Sequence, residues 1–503
     1  MNAKRGAANI ATNFLYQIIT ILMGILIPRL ILVNLGSEAN GLITTTNQML
    51  TYLGLLEAGV STAALQALFK RVAENDRKAI NEVLSATHIF YRRTGLLYLL
   101  CIILAAVIFP FTVDSEIGRF NIALVVLFTG LPSVLNFWFQ GKFRILLQAE
   151  GKSYILTNLS TVVYLLTSIS KIVLLQCGFN VVSLQIAHFV ISVLQMLFIM
   201  IYIKRHYKWI DLKEKPDFEA ISKTKNLIIH QVSGLIFNNT DILILTWICG
   251  LSTASVYSMY SMLFSMVGAV VTNFNGANFI LGQTYHSDFP RFLKLLDVYE
   301  TFNMSLTFSL FCVANLFILP FLALYTEGVS DIEYVDAYLP YLFISVQLLN
   351  NGRVASNYAI NVAEHFKETQ WRSVAESVIN VVVSLLAVWK LGIYGVLIGT
   401  IAALLYRTND ITIYASKRIL HRSPWITYRR WLLSLCLFIV CTFAGKRILA
   451  SVRLDTYLRI ILWAFISCIV ILPVFFVSMY LFERKTFRFI RENLTALLHI
   501  AKK

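Results

Sequence analysis

Residues 9–34, NIATNFLYQIITILMGILIPRLILVN, carry a single charged side chain, Arg29, in a run long enough to cross a bilayer as a helix. A crossing takes about 20 helical residues, and a run of this length with one charge reads as a membrane span rather than a buried core helix. It follows Lys4 and Arg5 directly, is longer than the apolar core of a secretory leader and has no small-residue cleavage site behind it, so it is expected to stay as a helix. Runs of the same kind recur near 39–69, 94–113, 120–139, 154–176, 179–203, 226–249, 252–283, 297–325, 337–363, 373–389, 393–414, 432–445 and 460–482. The expected fold is all-α: a polytopic membrane protein of about 14 spans.

Composition agrees. Of the 503 residues, 57% are hydrophobic and 14% charged, against roughly 25% charged in soluble domains, which excludes a soluble enzyme. The net charge of +16 would suggest nucleic acid in a soluble protein. Here 33 of the 43 Lys and Arg fall in the segments on one side of the spans and six on the other, so the positive-inside rule explains the excess and no nucleic-acid partner is expected. The same asymmetry puts both termini in the cytoplasm. The seven cysteines are scattered and show no metal-ligand spacing. Cys177 and Cys249 fall near outer helix ends, where a disulfide is open to them but not dictated.

Comparing the chain with itself at a shift of 214 residues aligns Gln17 with Gln231, Gly36 with Gly250, Gly54 with Gly268, Ala149-Glu150 with Ala363-Glu364 and Gly178 with Gly392. Six spans separate the copies, so both enter the membrane from the same side as parallel repeats. The expected organisation is a six-helix lobe over 1–203, a cytoplasmic linker over 204–225, a second six-helix lobe over 226–418, two further spans over 419–483 and a basic amphipathic tail over 484–503. Two pseudo-symmetric lobes are a transporter's architecture.

Four basic residues remain at membrane depth: Arg29, Lys171, Arg353 and Arg407. A charge near a bilayer centre costs at least about 2.5–3.5 kcal/mol, so such residues face a bundle interior or a wet cavity, pair with a carboxylate, or snorkel to the interface. A cationic cavity for an anionic group and simple pairing are both open. The acids at comparable depth are Glu57, Asp241, Glu376 and Asp410; Asn239 stands beside Asp241, and Arg407 and Asp410 are three apart on one helix and able to pair. Glu57 and Asp241 are candidates for a coupling proton or cation, or for structural pairing. Lys142 and Arg144, just beyond the fourth span, would sit at the cytoplasmic mouth, either as ordinary inside charge or to capture a phosphate.

No Walker loop, HExxH, GxSxG or GxGxxG is present, so nothing supports ATP hydrolysis, zinc proteolysis, serine hydrolysis or dinucleotide binding, and no cofactor or metal is expected. No expected outer loop exceeds about 14 residues, which favours moving a molecule over modifying one.

The run LVNLGSEANGLITTTNQMLTYLGLLEAGVSTA, the opening NIATNFLYQ, NNTDILIL followed by GLSTASVYSMYS, and INVVVSLLAVWKLGIYGVLIGTIAA together resemble polysaccharide flippases of the Wzx type, within the multidrug/oligosaccharidyl-lipid/polysaccharide exporter superfamily. Glu57 stands where an Asp is more usual. The resemblance covers nearly the whole chain. It implies alternating access through a cationic cavity, an undecaprenyl-diphosphate-linked oligosaccharide as substrate, membrane lipids and a polysaccharide polymerase as partners, and a bacterial cytoplasmic membrane. The two extra C-terminal spans depart from the twelve of many such flippases and match the fourteen of the peptidoglycan-precursor flippases. A drug exporter of the same fold, which would need an acidic cavity, and a membrane glycosyltransferase or polymerase are the competing expectations.

Overall fold

The computed structural model describes residues 3–57, 59–221, 225–273, 278–484 and 486–487; most of the expected amphipathic tail lies outside the described residues. The chain forms two compact units: Met1–Val256 with Gly328–Ile332, and Tyr257–Glu327 with Glu333–Lys503. Among the described residues the regular structure is entirely helical.

The first unit holds α1 (Ala3–Leu53), α2 (Val60–Ala73), α3 (Arg77–Ile108), α4 (Arg119–Leu135), α5 (Gly141–Ala149), α6 (Ser153–Gln176), α7 (Val181–His206) and α8 (Lys225–Cys249). α9 (Leu251–Asn273) begins there and continues into the second unit. The second unit adds α10 (Asn278–Ser287), α11 (Phe289–Tyr325), α12 (Leu339–Gly352), α13 (Val354–Val362), α14 (Phe366–Leu391), α15 (Ile393–Tyr414), α16 (Trp425–Leu449) and α17 (Tyr457–Phe482). Side-chain caps start several of them: Asp76 accepts from Ala79 N at 3.0 Å, Asn180 from Ser183 N at 3.1 Å and Asp288 from Arg291 N at 3.0 Å.

Twelve stretches of the described residues are long and apolar enough to cross a membrane, and two local features account for the difference from the expected fourteen. α1 contains two expected spans as two helices joined without a loop at a kink, where the backbone of Gly36 is non-helical (φ 81°, ψ 175°), so the two count as one stretch. The bend exposes the amide of Ser37 as a fresh helix start, and the Asp331 carboxylate takes that N–H at 2.7 Å and the Ser37 hydroxyl at 2.8 Å. The expected span 337–363 is divided at Arg353 into α12 and α13, each too short to cross alone. In the first repeat the corresponding place holds a π turn, Asn136–Gln140, between α4 and α5.

The glycines that the 214-residue shift aligns at outer turns all adopt positive φ: 81° at Gly36 and 89° at Gly250, 76° at Gly178 and 54° at Gly392. That backbone region is open to glycine at little cost and strained for other residues, so the repeat is kept where turn geometry demands it.

Two apolar cores fill the first unit. One, around Ile31, Leu42, Val125, Leu175 and Leu184, joins α1, α4, α6 and α7; the other, around Leu68, Leu84, Tyr91, Phe137, Leu146 and Ile203, joins α2, α3, α5 and α7. α8 packs along α1, where Thr45 and Thr246 hydroxyls meet at 2.6 Å and Asn40 Nδ2 donates to Ser255 Oγ, on α9, at 2.8 Å. Gly41 allows this approach: a Cβ there would stand 2.0 Å from the Leu251 carbonyl oxygen. In the second unit, α10, α11, α13 and α15 share a core around Phe292, Leu296, Ala359 and Ile411.

Candidate functional site

The polar cavity of the first unit has a volume of about 360 Å³ and is lined by Glu57, Asn136, Gln140, Arg144, His188 and Gln195 among others. The π turn builds it. An extra residue in the helical turn rotates Asn136 and Gln140 out of the regular ladder, a local distortion that recurs at functional sites. Their side-chain carbonyl oxygens are buried and accept no hydrogen bond among the described residues, which leaves two unsatisfied acceptors in the cavity wall. Glu57, on the short turn Gly54–Glu57, accepts the Tyr91 hydroxyl, and Arg144 lies within electrostatic reach of it. His188 brings an imidazole from α7, with Lys171 of α6 as its electrostatic neighbour. Lys171 is half-buried and has no hydrogen-bond or ion-pair partner among the described residues.

The structure therefore brings Glu57 and Arg144 together. Lys142, expected beside Arg144, points elsewhere: it is buried, at 4% exposure, and its ammonium donates to the carbonyls of Trp138 at 3.2 Å and Phe139 at 3.4 Å. It caps the π turn instead of lining the cavity. Arg29 is half-buried on α1. Asp241 is buried on α8 beside Thr240, whose hydroxyl meets Tyr52 Oη at 2.5 Å. Asn239 donates to Leu235 O of its own helix at 2.8 Å. Cys177 and Cys249 are both free thiols, so no disulfide joins them.

Of the two readings open for Arg353 and Arg407, a cationic cavity or pairing, the structure shows pairing for both. Arg353 Nη1 donates to Glu376 Oε1 at 2.6 Å, Arg407 binds Asp410 at 2.9 Å and Glu376 at 3.5 Å, and Arg372 also binds Asp410. The expected pairing of Arg407 with Asp410 is present. Physically, two carboxylates shared by three guanidiniums spread the cost of burial over a hydrogen-bonded network.

Sequence reasoning missed a second network. Arg430, 1% exposed, binds Asp297 at 2.8 Å, Glu483 at 3.3 Å and also Glu300, itself 1% exposed; Arg422 binds Asp297 at 2.5 Å and Glu300 at 3.0 Å, and Arg429 binds Glu483 at 2.5 Å. It ties α16 and the end of α17 to α11. The signal was available: Asp297 and Glu300, three apart on one helix face, open an apolar span. His188, a lone titratable residue in LQIAHFVISV, was equally legible.

No family model and no curated protein sequence matches the chain. Its structure is similar to that of the lipid II flippase MurJ in an inward closed conformation, with a TM-score of 0.69 and 14% identity, covering 94% of this chain and 99% of that one. The chain has a MATE- and MurJ-like fold. An inward-facing multidrug resistance MATE family transporter of the MOP superfamily gives a TM-score of 0.61 at 14% identity over 80% of this chain and 94% of that one. A MOP superfamily transporter from Pyrococcus furiosus, described by the reverse polarity of its binding pocket, gives 0.52 at 14% identity over 83% and 94%. At such identities the MOP fold is what is shared, and the substrate has to be argued from the site.

Proposed function

We propose that this protein is a flippase that carries an undecaprenyl-diphosphate-linked oligosaccharide from the inner to the outer leaflet of a bacterial cytoplasmic membrane, for surface polysaccharide synthesis. The observation that carries the reading is the first-unit cavity, where Arg144 lines the same wall as Asn136 and Gln140, whose amide oxygens are orphaned, and His188 has Lys171 as its electrostatic neighbour. A cation is suited to a diphosphate. Amide acceptors and Ser133, Ser192 and Gln195 are suited to sugar hydroxyls, each of which both donates and accepts. Lipid II is itself a lipid-linked saccharide, and its flippase shares this fold over 94% of the chain. The distribution of Lys and Arg supports cytoplasmic termini, and the polymerase that consumes the product is the expected partner. Energy would come from an ion gradient through Glu57.

A second reading, a cation-coupled multidrug exporter, is favoured by the MATE neighbours and by the presence of a carboxylate, Glu57, in the cavity. Reconstituted vesicles separate the two. A polyprenyl-diphosphate oligosaccharide loaded in the inner leaflet should become accessible to an impermeant glycosidase outside, and Arg144→Ala should slow this. Absence of flipping by the folded protein, with proton-driven efflux of an organic cation, would establish the exporter instead.

A further inference from the structure

The first unit carries a second pocket with a different chemistry. Its volume is about 570 Å³, and it is walled by Phe143, Ile203, Ile210 and Leu212, open past the exposed Met200 and Ile201, and edged by Lys204 and Lys208. It lies at the basic end of α7, whose last turn holds Lys204, Arg205 and His206. This is the membrane–water boundary of a span.

The segment after α7 makes the pocket by folding back. Asn81 Nδ2 on α3 donates to Trp209 O at 3.2 Å, Ser85 Oγ donates to Leu212 O at 3.0 Å, and Asp217 N donates to Glu82 O at 3.2 Å. Tyr207 is fixed from below: its hydroxyl donates to Glu150 at 2.5 Å and receives Lys152 Nζ at 2.8 Å, while Lys152 and Glu150 pair at 2.6 Å. The crevice is thus held in shape by hydrogen bonds and not by apolar contact alone.

Its charges point to one occupant. No acid lines the crevice. Among the nearby acids, Glu150 is taken by Lys152 and Tyr207, Asp217 by Arg71 at 2.6 Å, and Asp211 by the Lys213 amide at 2.9 Å. Lys204 and Lys208 are exposed and make no hydrogen bond or ion pair among the described residues. An apolar slot at the level of the headgroups, with two free ammonium groups at its rim, fits an acyl chain below and a phosphate above.

We infer that this crevice binds an anionic glycerophospholipid of the basic-side leaflet, its phosphate between Lys204 and Lys208 and an acyl chain against Phe143, Ile203 and Leu212. The site lies apart from the transport cavity, although α5 serves both: Phe143 faces the crevice and Arg144 the cavity.

The test is native mass spectrometry of the full-length protein in detergent, with graded phosphatidylglycerol and phosphatidylcholine. Wild type should retain phosphatidylglycerol in preference. Lys204→Gln with Lys208→Gln should weaken that retention about 10- to 30-fold, roughly a factor of five for each lysine near an anionic headgroup. Lys204→Arg with Lys208→Arg should keep it, and Leu212→Trp, which fills the slot, should lower retention of both lipids. The basic pair Lys417→Gln with Arg418→Gln, exposed elsewhere, should change nothing. Equal retention by wild type and the glutamine pair, or an equal loss in the Lys417/Arg418 control, would overturn the site in favour of no binding or of general surface charge. Because the readout is binding, it stands or falls separately from flipping.

Discussion

The two units handle charge in opposite ways. In the second, Arg353, Arg372 and Arg407 share Glu376 and Asp410, while Arg422, Arg429 and Arg430 share Asp297, Glu300 and Glu483. In the first, the cavity keeps Arg144 near a Glu57 already occupied by Tyr91, Lys171 has no partner among the described residues, and two amide oxygens accept nothing there. A buried charge held by an opposite charge is a structural device, even where, as at Arg353, Arg422, Arg429 and Arg430, the guanidinium Nε makes no hydrogen bond among the described residues, and its loss costs stability. An under-satisfied polar cavity holds unused hydrogen-bonding capacity, and its loss costs binding. Counting intramembrane charges in the sequence treats both alike.

The sharpest way to break this contrast is Arg430→Ala. It takes away the guanidinium shared by Asp297, Glu300 and Glu483 and leaves Glu300, at 1% exposure, and Asp297 to Arg422 alone and Glu483 to Arg429 alone, so unfolding in detergent should lose about 3 kcal/mol, the low end of the cost of removing one partner of a buried ion pair. An unchanged melting temperature would mean that the network carries no stability. Arg144→Ala should behave in the reverse sense. Flipping in vesicles should fall by about 30-fold or more, as when a desolvated charge contact to a ligand worth 2 kcal/mol or more is removed, with the melting temperature within about 2–4 °C of wild type. A large loss of stability with normal flipping would move Arg144 into the structural class.

Between these lies Arg353. Arg353→Ala and Glu376→Ala should each destabilise, and the double variant should recover part of the loss, with a coupling of about 0.5–3 kcal/mol. Additive losses would show the 2.6 Å pair to be incidental. Any flipping defect should track the amount of folded protein.

The smallest effect concerns Asp217, outside the membrane. Its carboxyl is held below its usual value of 3.8 by the hydrogen bond from Arg71, helped by the Ala220 amide and opposed by partial burial. A lowered value in the folded state adds stability above the unfolded-state value and loses it as pH falls through the folded one. Asp217 is 29% exposed, so screening keeps this under about 1 kcal/mol. The stability difference between wild type and Asp217→Asn should be flat above about pH 5 and vanish in stronger acid. A difference independent of pH down to that range would exclude the ion pair as its source.

The helices were legible because lipid imposes a local rule: about 20 apolar residues in a row, with backbone hydrogen bonds closed within the segment. The same rule placed Arg29, Lys171, Arg353 and Arg407 at membrane depth. It could not show that Arg353 meets Glu376, 23 residues away, or that Arg430 reaches Asp297 across 133 residues. Asp297 and Glu300 were overlooked because they open an apolar span, and Arg422, Arg429 and Arg430 because they fall in a segment that reads as ordinary inside charge. The interrupted tenth span was unreadable for a different reason. Arg353 is the residue at which the helix divides, and hydropathy averages over such breaks.

The sequence by itself determined the class of the molecule, all of its spans but the interrupted tenth, the asymmetry of its basic residues and the glycine pairs Gly36/Gly250 and Gly178/Gly392 of the repeat. These follow from composition and from backbone geometry within a few residues. Only the tertiary structure decided which charges are spent on each other and which face a cavity. Pairing depends on side chains brought together from distant helices, and the energy of a buried charge is set by its neighbours in space.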